Sequence, residues 1–443
     1  MKIFFSPIVF SLIAFFLFPT GVFAQNQQIA VAIHVHSEIS SGVEPIEVIA
    51  QKARDRDVGA VIITDLLHET YEYGLQPFPQ ILKKTVERNS ISKLGVKKYL
   101  ERIRKANQDV PEVLIIDGAV ITPFYYWSGN PWPGPLILNG RGKDLIAFGL
   151  KDPAAYENIP IVGKNNSGFD AYHGEQGAIP YQKVIDYTAQ NHGFILWSHA
   201  TAHEEISFRF PVLGTHVYSI SNDYRDELLK TQGYDGMGVY SVELAQIDNP
   251  QADGLSQPGA TWDHLLQQYC SGNRKKPVWA VGEVDYTGIQ GGNTALDAIL
   301  NILWMNEKTP DNVLKEFSGG RYYLIIPGKN GQRRLVLNGF CVAEATSEAC
   351  MGGEVKVSGP PILRFRMETS DHAEEMLHLS LIRNGELIDV WDQEAPFTRE
   401  FKDETAPVNQ KSYYRLIASS TKNDHLLSNP VFFLYKPSAG HEN

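Results

Sequence analysis

Between residues 29 and 326, short apolar runs alternate with stretches of helical periodicity, and this alternation constrains the fold more than any other feature. Residues 29–33 open the series as a strand. A helix starts near Glu44-Pro45, with Ile46, Ile49, Ala50 and Ala53 on one face. Residues 58–64 read as a buried strand, 92–107 as a charged helix and 113–116 as a strand. Residues 145–150 form a further strand beyond a Pro/Gly-rich excursion from Pro123 to Gly142. Then come a helix over 179–191, strands over Phe194–Trp197 and 239–244, a helix over Thr261–Cys270 and a strand over 278–281. Two helices follow, the second opening at Thr309-Pro310 and stopping at Gly319-Gly320. Such repetition predicts a parallel sheet, and about seven units close into a barrel more readily than they stay open. No glycine-rich phosphate fingerprint follows any of these strands, so dinucleotide binding is unsupported.

From about residue 340 the pattern changes to short alternating runs at 362–367, 377–382, 387–391, 413–417 and Val431–Tyr435. Arg383-Asn384-Gly385-Glu386 carries the Asn-Gly hairpin signal between two of them. The fold class expected is therefore α/β, a barrel over 25–340 followed by an all-β sandwich over 341–443. Residues 1–24 read as a secretory signal: Lys2, an apolar stretch from Ile8 to Phe18, and the small-residue site Val22-Phe23-Ala24. Export to the periplasm or outside the cell is expected, with no membrane attachment after cleavage. In that oxidising setting Cys341 and Cys350 could bridge a hairpin, leaving Cys270 as a buried helix thiol. The 51 acidic residues outnumber 40 basic ones for a net charge of -11, and no Lys/Arg-rich block interrupts them. That balance argues against a nucleic-acid partner and an anionic membrane surface, and leaves a small molecule as the expected partner.

In a parallel barrel, side chains beyond the C-terminal strand ends face a common mouth. His34 and His36 end the first strand; residues i and i+2 of a strand share a face, so both imidazoles would converge. Asp65, His199 and Asp285 end three others, with His68, Glu69, Asp117, Asp144, Glu243 and Glu283 as secondary candidates. Imidazole with carboxylate suits Zn, Mn or Fe, and metal-activated water would be the nucleophile. Phe124-Tyr125-Tyr126-Trp127, with Trp132, would suit an apolar substrate or simply pack the loop down. Plainer roles exist for each candidate. His199 could be a packed core histidine, and Asp65 and Asp285 helix caps. His68, His173 and His203 could be solvated loop residues, and Glu204-Glu205 an exposed helix start.

Four segments resemble, in order and spacing, the motifs of the PHP (polymerase and histidinol phosphatase) superfamily. They are His34-Val35-His36-Ser37, Ile62-Ile63-Thr64-Asp65, Ile195-Leu196-Trp197-Ser198-His199-Ala200 and Val281-Gly282-Glu283-Val284-Asp285. Residues 313–323, Met351-Gly352-Gly353, Tyr413-Tyr414-Arg415-Leu416 and Ser428-Asn429-Pro430 are similar to an exported branch that includes carbaryl-hydrolase-like enzymes. The resemblance implies a distorted seven-stranded barrel that holds two or three divalent ions and hydrolyses phosphoesters. Several positions depart from it. Ser41 stands for an Asp, Leu66 and Thr287 for His, Val120 for a bridging Glu and Asp144 for His. What the resemblance leaves is His34, His36 and Asp285 for one ion, with His199 and Asp144 toward a second and Asp65 beside them. Without a bridging carboxylate the repulsion between two cations is unscreened, so one ion is expected and two is the alternative. Asp285 would serve catalysis as a ligand and His199 as a general acid. Two readings remain open: a metal-dependent hydrolase of phosphoesters, carboxylic esters or amides, and a catalytically degenerate barrel acting as a binding or scaffold module.

Overall fold

The computed structural model describes residues 27–75, 77–130, 135–164, 166–198, 204–209, 216–221, 224–240, 255–289, 295–328, 333–344 and 347–437. Among these, a mixed α/β chain is organised around one 15-stranded sheet, with two four-stranded sheets and one two-stranded sheet beside it. Seven strands carry the site: β1 (Gln27–Val35), β2 (Ala60–Ile63), β3 (Leu114–Ile121), β4 (Leu145–Phe148), β5 (Phe194–Trp197), β6 (Gly236–Tyr240) and β7 (Trp279–Gly282). They lie side by side in the order β7-β6-β5-β4-β3-β2-β1. Val31, Ala32, Ile33, Val61, Ile62 and Ile63 are wholly buried, as continuous apolar strands covered on both faces must be. Helix Ile46–Asp55 supplies part of that cover through Ile46, Ile49, Ala50 and Ala53.

Pairing is parallel except at β4, which runs antiparallel to both β3 and β5. This corrects the expectation of a uniformly parallel run. A parallel neighbour needs a crossover, usually a helix. The excursion between β3 and β4 supplies a hairpin instead, Tyr126–Gly129 against Leu136–Asn139. Past Gly282 the chain turns alongside β1. Val284 N donates to Ile33 O (2.9 Å), Tyr286 N to His34 O (2.9 Å) and His36 N to Tyr286 O (2.8 Å). Asn301 adds a side-chain tie, its Nδ2 donating to Gly282 O and its Oδ1 accepting from Gly282 N.

On its other edge β1 pairs antiparallel with β8 (Leu300–Met305), and β8 with β9 (Tyr322–Ile326). The sequence predicts a helix before Thr309, and β8 is a strand. A six-residue apolar run is too short for periodicity to separate buried strand from helix, and pairing with β1 decides it. Helix Pro310–Gly319 begins and ends where expected, with Thr309 capping Asn312 N and Gly320 left-handed at φ 65. The helix expected over 92–107 is instead Ile91–Leu94 and Val96–Asp109, broken at Gly95, whose φ is 95. Glu204-Glu205 open the strand Glu204–Arg209, which replaces the expected helix start.

The large sheet does not stop at residue 340. β9 pairs with His425–Ser428, which leads through Lys411–Ser420 and Glu375–Arg383 to Glu386–Ala395. Asn384 (φ 51) and Gly385 (φ 84) make the tight turn that their sequence signals. A four-stranded sheet runs Ser347–Cys350, Leu335–Glu344, Ile362–Thr369 and Phe397–Lys402, with Cys341 bonded to Cys350. Cys270 is a free, half-buried thiol. Helix Thr261–Cys270 is fastened to strand Lys411–Ser420 by a wholly buried pair. Arg415 Nε and Nη2 donate to the two Asp263 oxygens (2.8 and 2.6 Å), and Tyr413 Oη adds a third bond (2.7 Å). The expected signal at 1–24 lies outside the described residues, among which no helix is long and apolar enough to cross a membrane.

Candidate metal centre

His34 does not end β1 in regular extended backbone. Its φ is 70, and the β1–β2 register slips between Ile33 and Val35. Simple i, i+2 alternation is therefore not what brings the imidazoles together. A bulge re-aims His34, and the ring centroids of His34 and His36 come to 5.0 Å. Asp285 is left-handed too, at φ 43. Such backbone costs roughly 1–3 kcal/mol per residue and persists where the surroundings over-determine it. Here the ladder between β1 and Val284–Tyr286 does so, with Val35 N also held by Thr64 Oγ1 (3.0 Å).

The three side chains meet at one point. His34 Nε2 lies 3.7 Å and His36 Nε2 3.6 Å from Asp285 Oδ1. These separations are too long for hydrogen bonds. Ligands about 2.1 Å from a tetrahedral ion stand roughly 3.4 Å apart, so the two nitrogen–oxygen spacings, with all three atoms within 4.8 Å of one another, fit one shared divalent cation. Both imidazoles are buried, whereas the Asp285 side chain is 42% exposed, so the cluster opens to solvent on the aspartate side. The second close donor group among the described residues, Cys341, Glu348 and Cys350, has spent its thiols on the disulfide.

Glu283 stands behind His34. Its Oε1 is 3.1 Å from His34 Nδ1 and accepts a bond from Ser198 Oγ (2.5 Å). A carboxylate there keeps the ring proton on Nδ1 and turns the Nε2 lone pair toward Asp285. Gly238 makes room: a Cβ at that position would sit 1.6 Å from Glu283 Oε2. Glu283 stood among the secondary candidates, and it is the contact with His34 Nδ1, not its spacing from left-handed Asp285, that assigns it this place. Burial lowers the proton affinity of His34, but Asp285, Glu283 and Asp144 outweigh it and raise the pKa above the usual imidazole value.

The other candidates are distributed as follows. Asp65 is not among the converging donors. Its oxygens accept from Ser37 N (2.8 Å), Ser37 Oγ (2.6 Å) and Ser40 Oγ (2.5 Å), and Ser40 Oγ lies 3.4 Å from His36 Nδ1. It stands behind His36, one hydroxyl removed. Burial pushes its carboxyl up, against the pull of those serine bonds. Asp144 accepts from Thr122 Oγ1 and acts on His34 through its charge. Asp117 accepts from Tyr156 Oη (2.6 Å). Glu69 is buried and bonded by Tyr71 Oη (2.9 Å). His68 is half-buried rather than solvated, and burial with the Lys164 charge pushes it down to about 4. His173 is exposed. His199, His203, Glu243 and Trp132 lie outside the described residues. Leu66 and Val120, standing where the resemblance implies a histidine and a bridging glutamate, face each other in one β-bridge. In the aromatic loop Phe124, Tyr125 and Trp127 are buried, so its main work is packing.

No protein-family model matches the chain. No curated protein matches it. Several solved structures are similar at low identity, among them the following three. One is a two-domain protein from Bacteroides vulgatus containing a predicted PHP-like metal-dependent phosphoesterase, at 11% identity and TM-score 0.36 over 88% of this chain and 90% of that one. Another, from Bifidobacterium adolescentis, is a candidate metal-dependent phosphoesterase, at 13% identity and TM-score 0.30 over 66% of this chain and 96% of that one. An amidohydrolase from Chromobacterium violaceum, with bound sulfate and no metal, gives 12% identity and TM-score 0.30 over 58% of this chain and 87% of that one. These superpositions are loose, and the chemistry of the pocket rests on its own residues.

Proposed function

We propose that this protein is an exported metal-dependent hydrolase of the PHP type, acting on a phosphoester, a carboxylic ester or an amide. The observation that carries this reading is the convergence of His34, His36 and Asp285 at cation-sharing distances, two of them on left-handed backbone. A divalent Zn, Mn or Fe ion held by these three residues would supply Lewis acidity and make water a nucleophile near neutral pH. Glu283 orients His34, Asp65 backs His36 through Ser40, and the exposed side of Asp285 is the side from which substrate enters. His199 is the candidate general acid, and with Asp144 the candidate holder of a second ion.

The ladder between β1 and the chain past β7 supports reading β1 to β7 as a distorted (β/α)7 barrel. A domain division at 25–340 and 341–443 accompanies it, the second part read as a β-sandwich. Removal of a signal at 1–24 and an extracytoplasmic location are supported by the Cys341–Cys350 disulfide. One observation favours the degenerate scaffold: Leu66 and Val120 put apolar side chains together where a second ion's ligands would stand. Metal content and hydrolysis of p-nitrophenyl phosphate and p-nitrophenyl acetate separate the two readings. One ion per chain, lost together with hydrolysis in His36→Ala, is expected. Purified protein that takes up no Zn or Mn and hydrolyses neither ester would establish the scaffold instead.

A further inference from the structure

Beside the metal centre lies a cavity that the hydrolytic reading leaves unused. Thr122 and Asp144 are bonded to each other across the paired ends of β3 and β4. Just beyond them Phe124, Tyr126 and Lys143 join Tyr181 and Glu227 around a space of about 80 Å³. Asp144 links this space to the cluster. Its carbonyl accepts from Ser198 N (3.0 Å), and Ser198 Oγ donates to the Glu283 oxygen that meets His34 (2.5 Å). Tyr181 lies against Trp197, the residue before Ser198, with ring centroids 5.0 Å apart.

The walls are of two kinds. Phe124 and Tyr126 stack at 6.0 Å and supply ring surface, as does buried Tyr181. Lys143 Nζ pairs with Glu227 (2.7 Å), their side chains only 13% and 10% exposed, and Glu175 adds an exposed carboxylate. Asn139 commits its Nδ2 to Ser128 Oγ (2.8 Å), which leaves its oxygen as an acceptor. The ion pair alone would make the cavity neutral, but the phenols respond to more than that pair. Burial, then Glu175 and Glu227, raises Tyr126 above the usual phenol value. Burial, then Glu227, Asp144 and Glu175, raises Tyr181 well above it. Both hydroxyls thus stand in a negative potential, with Lys143 in place.

We propose that this cavity is the subsite for a small primary ammonium group, so that the metal centre acts on an ester, phosphoester or amide carrying that ammonium at its other end. Ring faces attract a cation through their quadrupole, and carboxylates through charge and N–H bonds. The same walls already hold one ammonium, that of Lys143 on Glu227. An apolar group would gain the rings and strand the polar oxygens without water. An anion would meet Lys143 only by approaching Glu227 and Glu175 as well. A site for a whole small molecule measures roughly 300–1,000 Å³, so this one takes an end of its ligand. The substrate class rests on the hydrolase reading; the cation site rests on the cavity alone.

Ethanolamine and propanol differ only in carrying an ammonium or a methyl group, and saturation-transfer NMR on the full chain, with Zn added, reads the binding of each. Ethanolamine should bind at least ~10-fold more tightly. Glu175→Gln with Tyr126→Leu, neither side chain fully buried, should erase most of that preference. Glu394→Gln, a remote exposed acid, should leave it unchanged. Lys143→Met frees Glu227 and should tighten ethanolamine by a further ~10-fold, a gain that loss of packing does not produce. No preference for ethanolamine, a preference untouched by the cavity variants, or an equal loss in Glu394→Gln would overturn the subsite. Ethanolamine binding by a protein that hydrolyses no ester would retire the hydrolase and keep the cation site. Hydrolysis of p-nitrophenyl phosphate with equal kcat/KM for aminoethyl phosphate and propyl phosphate would retire the subsite alone.

Discussion

Replacing Glu283 with glutamine isolates what the carboxylate behind His34 contributes. Glutamine keeps the shape, and its carbonyl oxygen can still accept from His34 Nδ1 and Ser198 Oγ, which now meet at Glu283 Oε1. Only the negative charge disappears. A charge-assisted bond becomes a neutral one of about half the strength, and loss of an outer-shell partner costs roughly 10–100-fold in metal affinity. Glu283→Gln therefore belongs at the lower end, about 10-fold or ~1.4 kcal/mol. Glu283→Ala belongs at the upper end, about 100-fold. It should also cost about 1–3 kcal/mol of stability, because the buried Ser198 hydroxyl and His34 ring lose the carboxylate oxygen they share. Competition of Zn or Mn against a chromophoric chelator reads the affinity, urea unfolding reads the stability, and imidazole nitrogen NMR reads the His34 tautomer. If Glu283→Gln binds metal within twofold of the wild type and the tautomer is unmoved, the orienting role assigned to Glu283 is wrong.

Other predictions can be checked alongside it. Gly238→Ala forces a methyl into the space of Glu283 Oε2, and should weaken metal binding by up to the loss seen in Glu283→Ala; unchanged affinity would refute the cradle. Asp285→Ala should abolish stoichiometric metal, whereas Asp65→Asn should retain one ion per chain; identical metal contents would remove the distinction between ligand and support. Arg415→Met leaves Asp263 charged, buried and short of its main partner, and should cost about 3–5 kcal/mol in chemical unfolding; a loss below ~1 kcal/mol would contradict the buried pair. Burial alone would raise the Glu375 carboxyl, but bonds from Thr421, Arg333 and Lys422 outweigh it and bring the group down to about 2. A depressed carboxylate stabilises the fold above its unfolded value near 4.5 and loses that contribution as pH falls toward 2. The stability advantage of wild type over Glu375→Gln should shrink across that window, and a pH-independent difference would exclude the assignment.

The strand-helix alternation was written in residue periodicity because burial on both faces demands unbroken apolar runs. β5 and the helices Thr261–Cys270 and Pro310–Gly319 accordingly fall at their sequence-read positions. Local turn chemistry was equally legible at Asn384-Gly385 and at Gly320, where the backbone itself requires a left-handed residue. The candidate ligands were visible too, since His34, His36 and Asp285 follow apolar runs. Strand direction and partner choice were not legible. A short apolar run carries no mark of which edge it will join, so Leu300–Met305 could not be told from a helix, nor β4 from a parallel strand. Nor did residue identity separate a carboxylate that faces the cluster from one behind it. Asp65 and Glu283 are both acids beside strand ends, and only the serines on one and the imidazole on the other assign their places. Sequence determined which groups could come near a cation. The tertiary structure decided which of them converge, because that depends on left-handed backbone at His34 and Asp285, held by hydrogen bonds between stretches of chain some 250 residues apart.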